Sequence, residues 1–251
     1  MKKLILKNAI QTAAAILFLL AVWWIAYLSV GNDLLIPPLS DSLKEMGELL
    51  IKGAFWRALG GTLLRSLAAF AISFLLAVIF AVVAYLYPTF ERFFAPLASV
   101  LRSMPVLAVL LILLSFVGAG EAPIAVAFLS LFPMLYTAVL TALAGVDKHL
   151  IEVSRACGTP LWRKVTAIYL PLASPYILKE SGAALSFSLK LVVSAEVLAF
   201  TAKSLGGMMQ DAKLYSEIPQ LFALVGMTFV IGLVLETAVG LLASMAERKV
   251  K

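Results

Sequence analysis

One histidine, His149, and one cysteine, Cys157, are all the imidazole and thiol that this 251-residue chain carries. A single thiol makes no disulfide within the chain, and the two residues form no cluster spaced for a metal, so no metal site is expected. No serine–histidine pair and no group of carboxylates shares a helix face, which argues against a membrane-embedded protease or acyltransferase, and no catalytic residue is assigned. The notable charges lie elsewhere. Arg102, Lys190 and Glu236 interrupt apolar runs, where an ionisable group costs about 3 kcal/mol or more unless it finds a partner, a watery cavity or the interface.

The elements that must hold these charges are membrane spans. The chain is 63% hydrophobic and 14% charged, with a mean hydropathy of +1.03, too little polar surface to enclose a soluble core. Runs of about 20 apolar residues, the length that crosses the hydrocarbon, recur near Ala9–Val30, Thr62–Tyr85, Pro96–Val117, Ala122–Ala144, Pro175–Phe200 and Leu221–Ala246. The expectation is an all-α membrane protein of about six transmembrane helices, in one domain over 1–251. The first run is longer than a signal-peptide core and no small-residue cleavage site follows it, so it reads as a retained helix.

Six crossings put both termini on one side. Lys2, Lys3, Lys7, Arg92, Lys148, Arg155, Arg163, Lys164, Arg248, Lys249 and Lys251 fall on that side, against Lys44, Lys52, Arg57, Lys203 and Lys213 opposite. The positive-inside rule then makes both termini cytoplasmic. It also accounts for the net charge of +6 without a nucleic-acid partner.

In the fifth run Gly182, Ser186, Lys190 and Ser194 recur every fourth residue and make one polar stripe, which must face protein or a pore. One reading has Lys190 lining a translocation path and favouring anions. The other has it in a structural ion pair with Glu236 or Glu196, or snorkelling. Glu196 lies six residues beyond Lys190 and off its face, so a direct bond within the helix is not expected. Arg102 and Pro105 share the inner half of the third run, where the proline permits a bend, and depth counting pairs Arg102 with Glu236. Arg102, Pro105, Ser186, Lys190, Ser194 and Glu196 are therefore the candidate pathway residues. Gly60-Gly61, Gly182 with Ser186, and Gly232 with Gly240 read as small-residue helix packing.

Three connections exceed a short loop. Gly31–Gly61, on the outer side, contains an amphipathic stretch from Leu43 to Trp56 that Ser40 or Asp41 would cap. Thr201–Pro219, also outer, reads equally as a solvated loop or a functional one. The third, 146–172, is cytoplasmic. There Lys148–Cys157 suits a helix, Gly158 terminates it and Pro160 opens a second, leaving Leu161 and Trp162 exposed with no lipid over them. Such a surface suits a protein partner or, alternatively, the inner leaflet, with Arg155, Arg163 and Lys164 toward phosphates.

This loop resembles that of the permease subunits of ATP-driven (ABC-type) importers, whose pattern is Glu-Ala-Ala, three residues, Gly, nine residues, Ile, one residue, Leu-Pro. Glu152, Gly158, Ile168, Leu170 and Pro171 match in register, with Val153 and Ser154 in place of the two alanines. The resemblance covers nearly the whole chain and points to the nitrate, sulfonate and taurine branch. Its further pieces are Leu35-Ile-Pro-Pro-Leu-Ser40, Thr62-Leu-Leu-Arg65, Leu101-Arg102-Ser-Met-Pro105, Phe132-Pro133, Lys190-Leu-Val-Val-Ser-Ala-Glu196 and Glu247-Arg248. Phe116-Val117-Gly118 departs from the branch, which carries its glycine directly after the phenylalanine, and this bears on where the third span ends.

The resemblance implies the type I importer permease fold in a bacterial inner membrane, moving substrate by alternating access. It makes the loop a coupling helix that docks on an ATPase subunit through Glu152, Ser154, Gly158, Leu161, Trp162, Ile168, Leu170 and Pro171. The chain has no Gly-x-x-x-x-Gly-Lys-Ser/Thr phosphate loop, so ATP and magnesium belong to separate ATPase chains and no cofactor is bound here. Further implied partners are an extracytoplasmic substrate-binding protein, a second permease copy or homologue, and lipid. The implied substrate is a small anion, a sulfonate, or a solute resembling a vitamin or pyrimidine precursor. The competing function is an ATP-independent channel or secondary transporter, which needs neither the Gly158 corner nor an exposed Trp162.

Overall fold

The computed structural model describes Ala14, Leu17, Phe18 and residues 20–250, with backbone alone for Lys148, Arg155 and residues 242–250. Most of the expected first span and the N-terminal lysines therefore lie outside the described residues. Among those described, the chain is helical throughout, in the order α1 (Leu20–Val30), α2 (Leu39–Ile51), α3 (Gly53–Leu86), α4 (Pro88–Ser103), α5 (Val106–Ala144), α6 (Lys148–Ala156), α7 (Leu161–Lys164), a π turn (Val165–Tyr169), α8 (Leu170–Ala199), α9 (Leu205–Leu214) and α10 (Ile218–Val250). Four stretches are long and apolar enough to cross a membrane: Gly53–Leu86, Val106–Ala144, Leu161–Ala199 and Ile218–Leu241.

One of these is two limbs. Gly118 in α5 has φ 77° and ψ 175°, a conformation essentially confined to glycine, and the chain turns back there. Leu110 and Val126, eight residues on either side of it, lie in one buried cluster with Ala122 and Ala195; on a straight helix they would be about 24 Å apart. The turn separates the expected third and fourth spans and fixes the end of the third at Val117.

The third span itself is not one helix from Pro96. It breaks at Met104 and Pro105, both extended (ψ 130° and 107°), because Pro105 lacks the N–H the ladder requires and biases the residue before it away from helix. What sequence reading took as a bend is thus a complete interruption. On its N-terminal side α4 applies Phe90, Phe94 and Ala98 to Phe80, Phe132 and Tyr136, and leaves Phe93, Leu97 and Val100 outward.

Around these limbs α3 packs on α5, α5 on α8, and α8 on α10. Small residues let the helices approach. A Cβ on Gly182 would lie 3.3 Å from the Glu236 carbonyl oxygen and 3.3 Å from the Val239 Cβ, and one on Gly232 would lie 3.3 Å from Ser186 Oγ. The expected packing roles of Gly182, Ser186 and Gly232 hold, whereas Gly60 and Gly240 have open space beside them.

Two outer segments differ from expectation. Helix α2 starts at Leu39 after Pro38, and neither Ser40 nor Asp41 caps it; the Ser40 hydroxyl donates to the neighbouring Asp41 carboxylate at 3.2 Å. The amphipathic stretch ends at Ile51, and Trp56 belongs to α3, which begins nine residues before the expected Thr62. The segment 201–219, open between a solvated loop and something more, contains α9, whose Leu205, Gly206, Met209 and Ala212 are buried.

Candidate functional site

The 146–172 segment is a hydrogen-bonded corner between two short helices. Helix α6 turns Ile151 and Ser154 inward, where Ser154 Oγ donates to the Ile151 carbonyl at 2.7 Å. Gly158 closes the helix at φ +64°, and the Thr159 N–H reaches back to the Ser154 carbonyl at 3.1 Å, the 6→1 bond of a Schellman turn. Pro160, extended at ψ 148°, then starts α7. The π turn follows where Pro171 can neither bond to nor tolerate a close carbonyl four residues back, so the helix widens to admit it. Tyr169 is buried there, its ring 5.0 Å from Tyr85, and Val165 and Ile168 pack on the main core.

The loop residues matched in the sequence therefore divide by what they touch. Ser154 is buried, Ile168, Leu170 and Pro171 are half-buried, and these anchor the corner. Glu152, Gly158, Leu161 and Trp162 are exposed. Two residues not picked out from sequence, Leu150 and Val153, join them, and the apolar face is exposed to the extent of 46% at Leu150, 61% at Val153, 48% at Leu161 and 69% at Trp162. The signal for the first two was present in the pattern: Ile151 and Ser154 face in, so Leu150 and Val153, one residue before each, face away. A cleft of about 500 Å³ opens beside this corner, between Thr141, Asp147, Leu150, Leu172 and Tyr176. His149 is exposed, and its backbone N–H donates to the Asp147 carboxylate at 2.9 Å.

Across the molecule, α8 keeps one open face. Tyr176, Lys179, Ala183, Phe187, Lys190, Ser194 and Leu198 are exposed at spacings of three and four residues along its length, on the helix whose span is otherwise the most buried of the four. Lys190 and Ser194 line a cleft of about 310 Å³ with Val197, Met209, Thr228 and Phe229. The expected polar stripe is divided: Gly182 and Ser186 are buried against α10, and only Lys190 and Ser194 are open.

The remaining pathway candidates lie elsewhere. Arg102 and Pro105 are exposed at the α4–α5 break, and Glu236 is exposed on α10. Arg102 and Glu236 form no ion pair; among the described residues the ion pairs are Lys44–Glu48 and Arg65–Glu196. Depth counting failed there because it ignores which face of each helix a charge occupies. Glu196 is 0% exposed and faces protein, not a route. Arg65 Nη1 donates to its Oε1 at 3.1 Å, and the Thr62 hydroxyl donates to its Oε2 at 2.8 Å. Arg65 Nε donates to the Gly120 carbonyl at 3.3 Å, just past the α5 turn.

A corner with an apolar outer face is carried by a bundle of helices long and apolar enough to span a membrane, and comparison with known proteins decides the family. Residues 73–251 match the family described as the binding-protein-dependent transport system inner membrane component. The chain belongs to that family. The permease is 26% identical to the taurine transport system permease protein TauC of Escherichia coli (strain K12) over 225 residues, 87% of this chain and 82% of that one. It is also 26% identical to the putative aliphatic sulfonates transport permease protein SsuC of Bacillus subtilis (strain 168) over 227 residues, 89% and 82% of the two chains. A solved bacterial alginate ABC transporter, in complex with an alginate-bound periplasmic protein, shares the fold at a TM-score of 0.67 and 15% identity, covering 96% of this chain and 95% of that one.

The permease is thus the membrane component of an ABC importer, with the type I importer permease fold. The family match takes in the loop corner, α8 and Glu196, and begins after Thr62 and Arg65.

Proposed function

We propose that the permease forms the substrate route of its importer along the open face of α8, and is driven by a separate ATPase that docks on the loop 152–171. The observation that carries this is the anchored corner at Gly158: an apolar face of Leu150, Val153, Leu161 and Trp162 outside the bundle, beyond any core that would cover it. Buried Ser154, Ile151 and Tyr169 make the corner stiff enough to transmit a push, and exposed Glu152 offers a carboxylate to a basic residue of the ATPase. ATP and magnesium sit on that partner. The chain's own part is to present two states for which the ATPase has different affinity, without which binding could not drive transport.

The route lies on α8 because its stripe holds two lysines, Lys179 and Lys190, and neither forms an ion pair among the described residues. Charges at such depth do not face lipid. They call for water and a second permease, a copy or a homologue, across the stripe. Lys190 with the hydroxyls of Ser194 and Thr228 favours a small anion, and the apolar walls suit a sulfonate-like solute with a short carbon body. The neutralised Glu196 does not oppose this. An extracytoplasmic binding protein delivers the solute from the outer side, and both termini lie in the cytoplasm of a bacterial inner membrane.

The test is Glu152→Ala in the importer reconstituted with its ATPase. Uptake falls while basal ATP hydrolysis continues, because the carboxylate couples the two without holding the fold. Uptake and coupling at parental levels would overturn the assignment.

A further inference from the structure

The buried cluster around Glu196 has a role beyond neutralising a charge. The first amides of a helix have no intrahelical acceptor, and in α9 each of the first three is met by a side chain of different origin. The Leu205 N–H donates to Thr62 Oγ1 at 2.9 Å, from α3; the Gly206 N–H donates to Glu196 Oε2 at 3.3 Å, from α8; and the Gly207 N–H donates to Ser204 Oγ at 2.8 Å, from its own cap. A carboxylate there also matches the positive end of the helix dipole. The same cluster reaches the tip of the α5 hairpin twice, through Arg65 to Gly120 and through the Thr201 hydroxyl to the Ala119 carbonyl at 2.7 Å.

The seat of α9 is close. A Cβ on Gly206 would lie 2.6 Å from Val197 N and 2.7 Å from the Val193 carbonyl, and one on Gly61 would lie 2.6 Å from the Lys203 carbonyl. The turns holding the helix are strained. Phe200 (φ 52°), Lys203 (φ 52°) and Ser216 (φ 60°) are the non-glycine residues with positive φ among those described, and they bracket α9. Conformations of this kind persist only where surrounding contacts over-determine them. From this seat α9 sends Met209 into the wall of the cleft that holds Lys190 and Ser194.

We propose that Glu196, Thr62 and Arg65 are positioning residues that clasp α9 to α8 and to the α5 tip, so that Met209 closes the outer end of the Lys190 cleft while the clasp is made and opens it when the clasp is released. This rests on the reading of α8 as the wall of the route. It gives the charge that sequence placed in the pathway a task beside the pathway instead.

The experiment places a single reporter thiol at Thr228 (Thr228→Cys, with Cys157→Ser) in the assembled importer in membrane vesicles, and measures its rate of labelling by a membrane-impermeant maleimide added from the outer side without ATP. With Glu196→Gln or Thr62→Val, labelling speeds up by about tenfold, the equivalent of one lost charge-assisted hydrogen bond. Thr201→Val, which removes only the bond to Ala119, gives a smaller rise, and Arg65→Lys, which keeps the charge, stays nearer the parent than Arg65→Ala. Labelling at the parental rate in assembled Glu196→Gln and Thr62→Val importers would overturn the proposal. Should those two fail to assemble, a parental rate in Thr201→Val would do so. Labelling is read without the ATPase turning over, so its outcome is separate from the Glu152 test of coupling.

Discussion

Replacing Trp162 by alanine separates a docking role from a folding role, because the two predict opposite readouts. The side chain is 69% exposed and contributes little to the bundle, so thermal stability of the isolated permease should change within about 0.5 kcal/mol, as for surface substitutions generally. A tryptophan carries about 200 Å² of buriable surface. The exposed 69% is then about 140 Å², and removing it from water stabilises by about 3.5 kcal/mol at about 25 cal/mol per Å². Part of that is offset by ordering and imperfect fit, leaving about 2–3 kcal/mol, in the range of interface hot spots. ATPase affinity should fall by roughly 30- to 150-fold. The assay is a titration of the purified ATPase onto the permease in nanodiscs, with a melting curve of the permease alone. An unchanged affinity, or a melting loss matching the affinity loss, would refute the reasoning.

Further outcomes test the rest of the account. Cys157 is the chain's one thiol and is exposed at the corner; a membrane-impermeant maleimide should label it in inside-out vesicles and leave it untouched in intact cells, whereas Lys203→Cys, with Cys157→Ser, should show the reverse. Double-mutant cycles should give a coupling of about 1–3 kcal/mol for Arg65 with Glu196, as for residues of one buried network, and about zero for Arg102 with Glu236, measured by denaturation in detergent. Gly206→Ala should destabilise by more than about 2 kcal/mol, since its Cβ would meet the fixed backbone of Val193 and Val197 and not a side chain able to turn away.

What the sequence revealed was set by locality. The loop corner was readable because its determinants lie within a few residues: a glycine after a helical run, a proline two residues on, and the Glu152–Pro171 register. The crossings near Thr62–Tyr85, Ala122–Ala144, Pro175–Phe200 and Leu221–Ala246 were readable from apolar run lengths, and the reversal between the third and fourth runs from the polar gap that opens at Gly118. Helix ends were read less well, since Gly53 and Leu161 begin helices that continue into apolar runs without a break and hydropathy alone places the start where polarity falls. The break at Pro105 was visible as a proline, but its completeness depends on Phe94 drawing α4 onto Phe132 and Tyr136.

The clasp was not assembled because Arg65 and Glu196 are separated by 131 positions. Both were quoted as family pieces, and both lie near the outer ends of their spans. Matching charges by depth and face together, instead of by depth alone, would have paired them in place of Arg102 and Glu236. The stripe, expected to face protein or a pore, does both: Lys190 and Ser194 lie on an open face, while Gly182 and Ser186 pack toward Glu236, Val239 and Gly232, the packing that sequence also assigned them.

The most direct test of the central claim is the identity of what co-purifies with the tagged permease in mild detergent, by mass spectrometry, for the parent and for forms substituted at Glu152, Gly158 and Trp162. The account predicts that an ATPase subunit accompanies the parent and is depleted from the substituted forms, although each remains folded. A folded parent complex that brings no ATPase, or an ATPase retained equally by every substituted form, would contradict it.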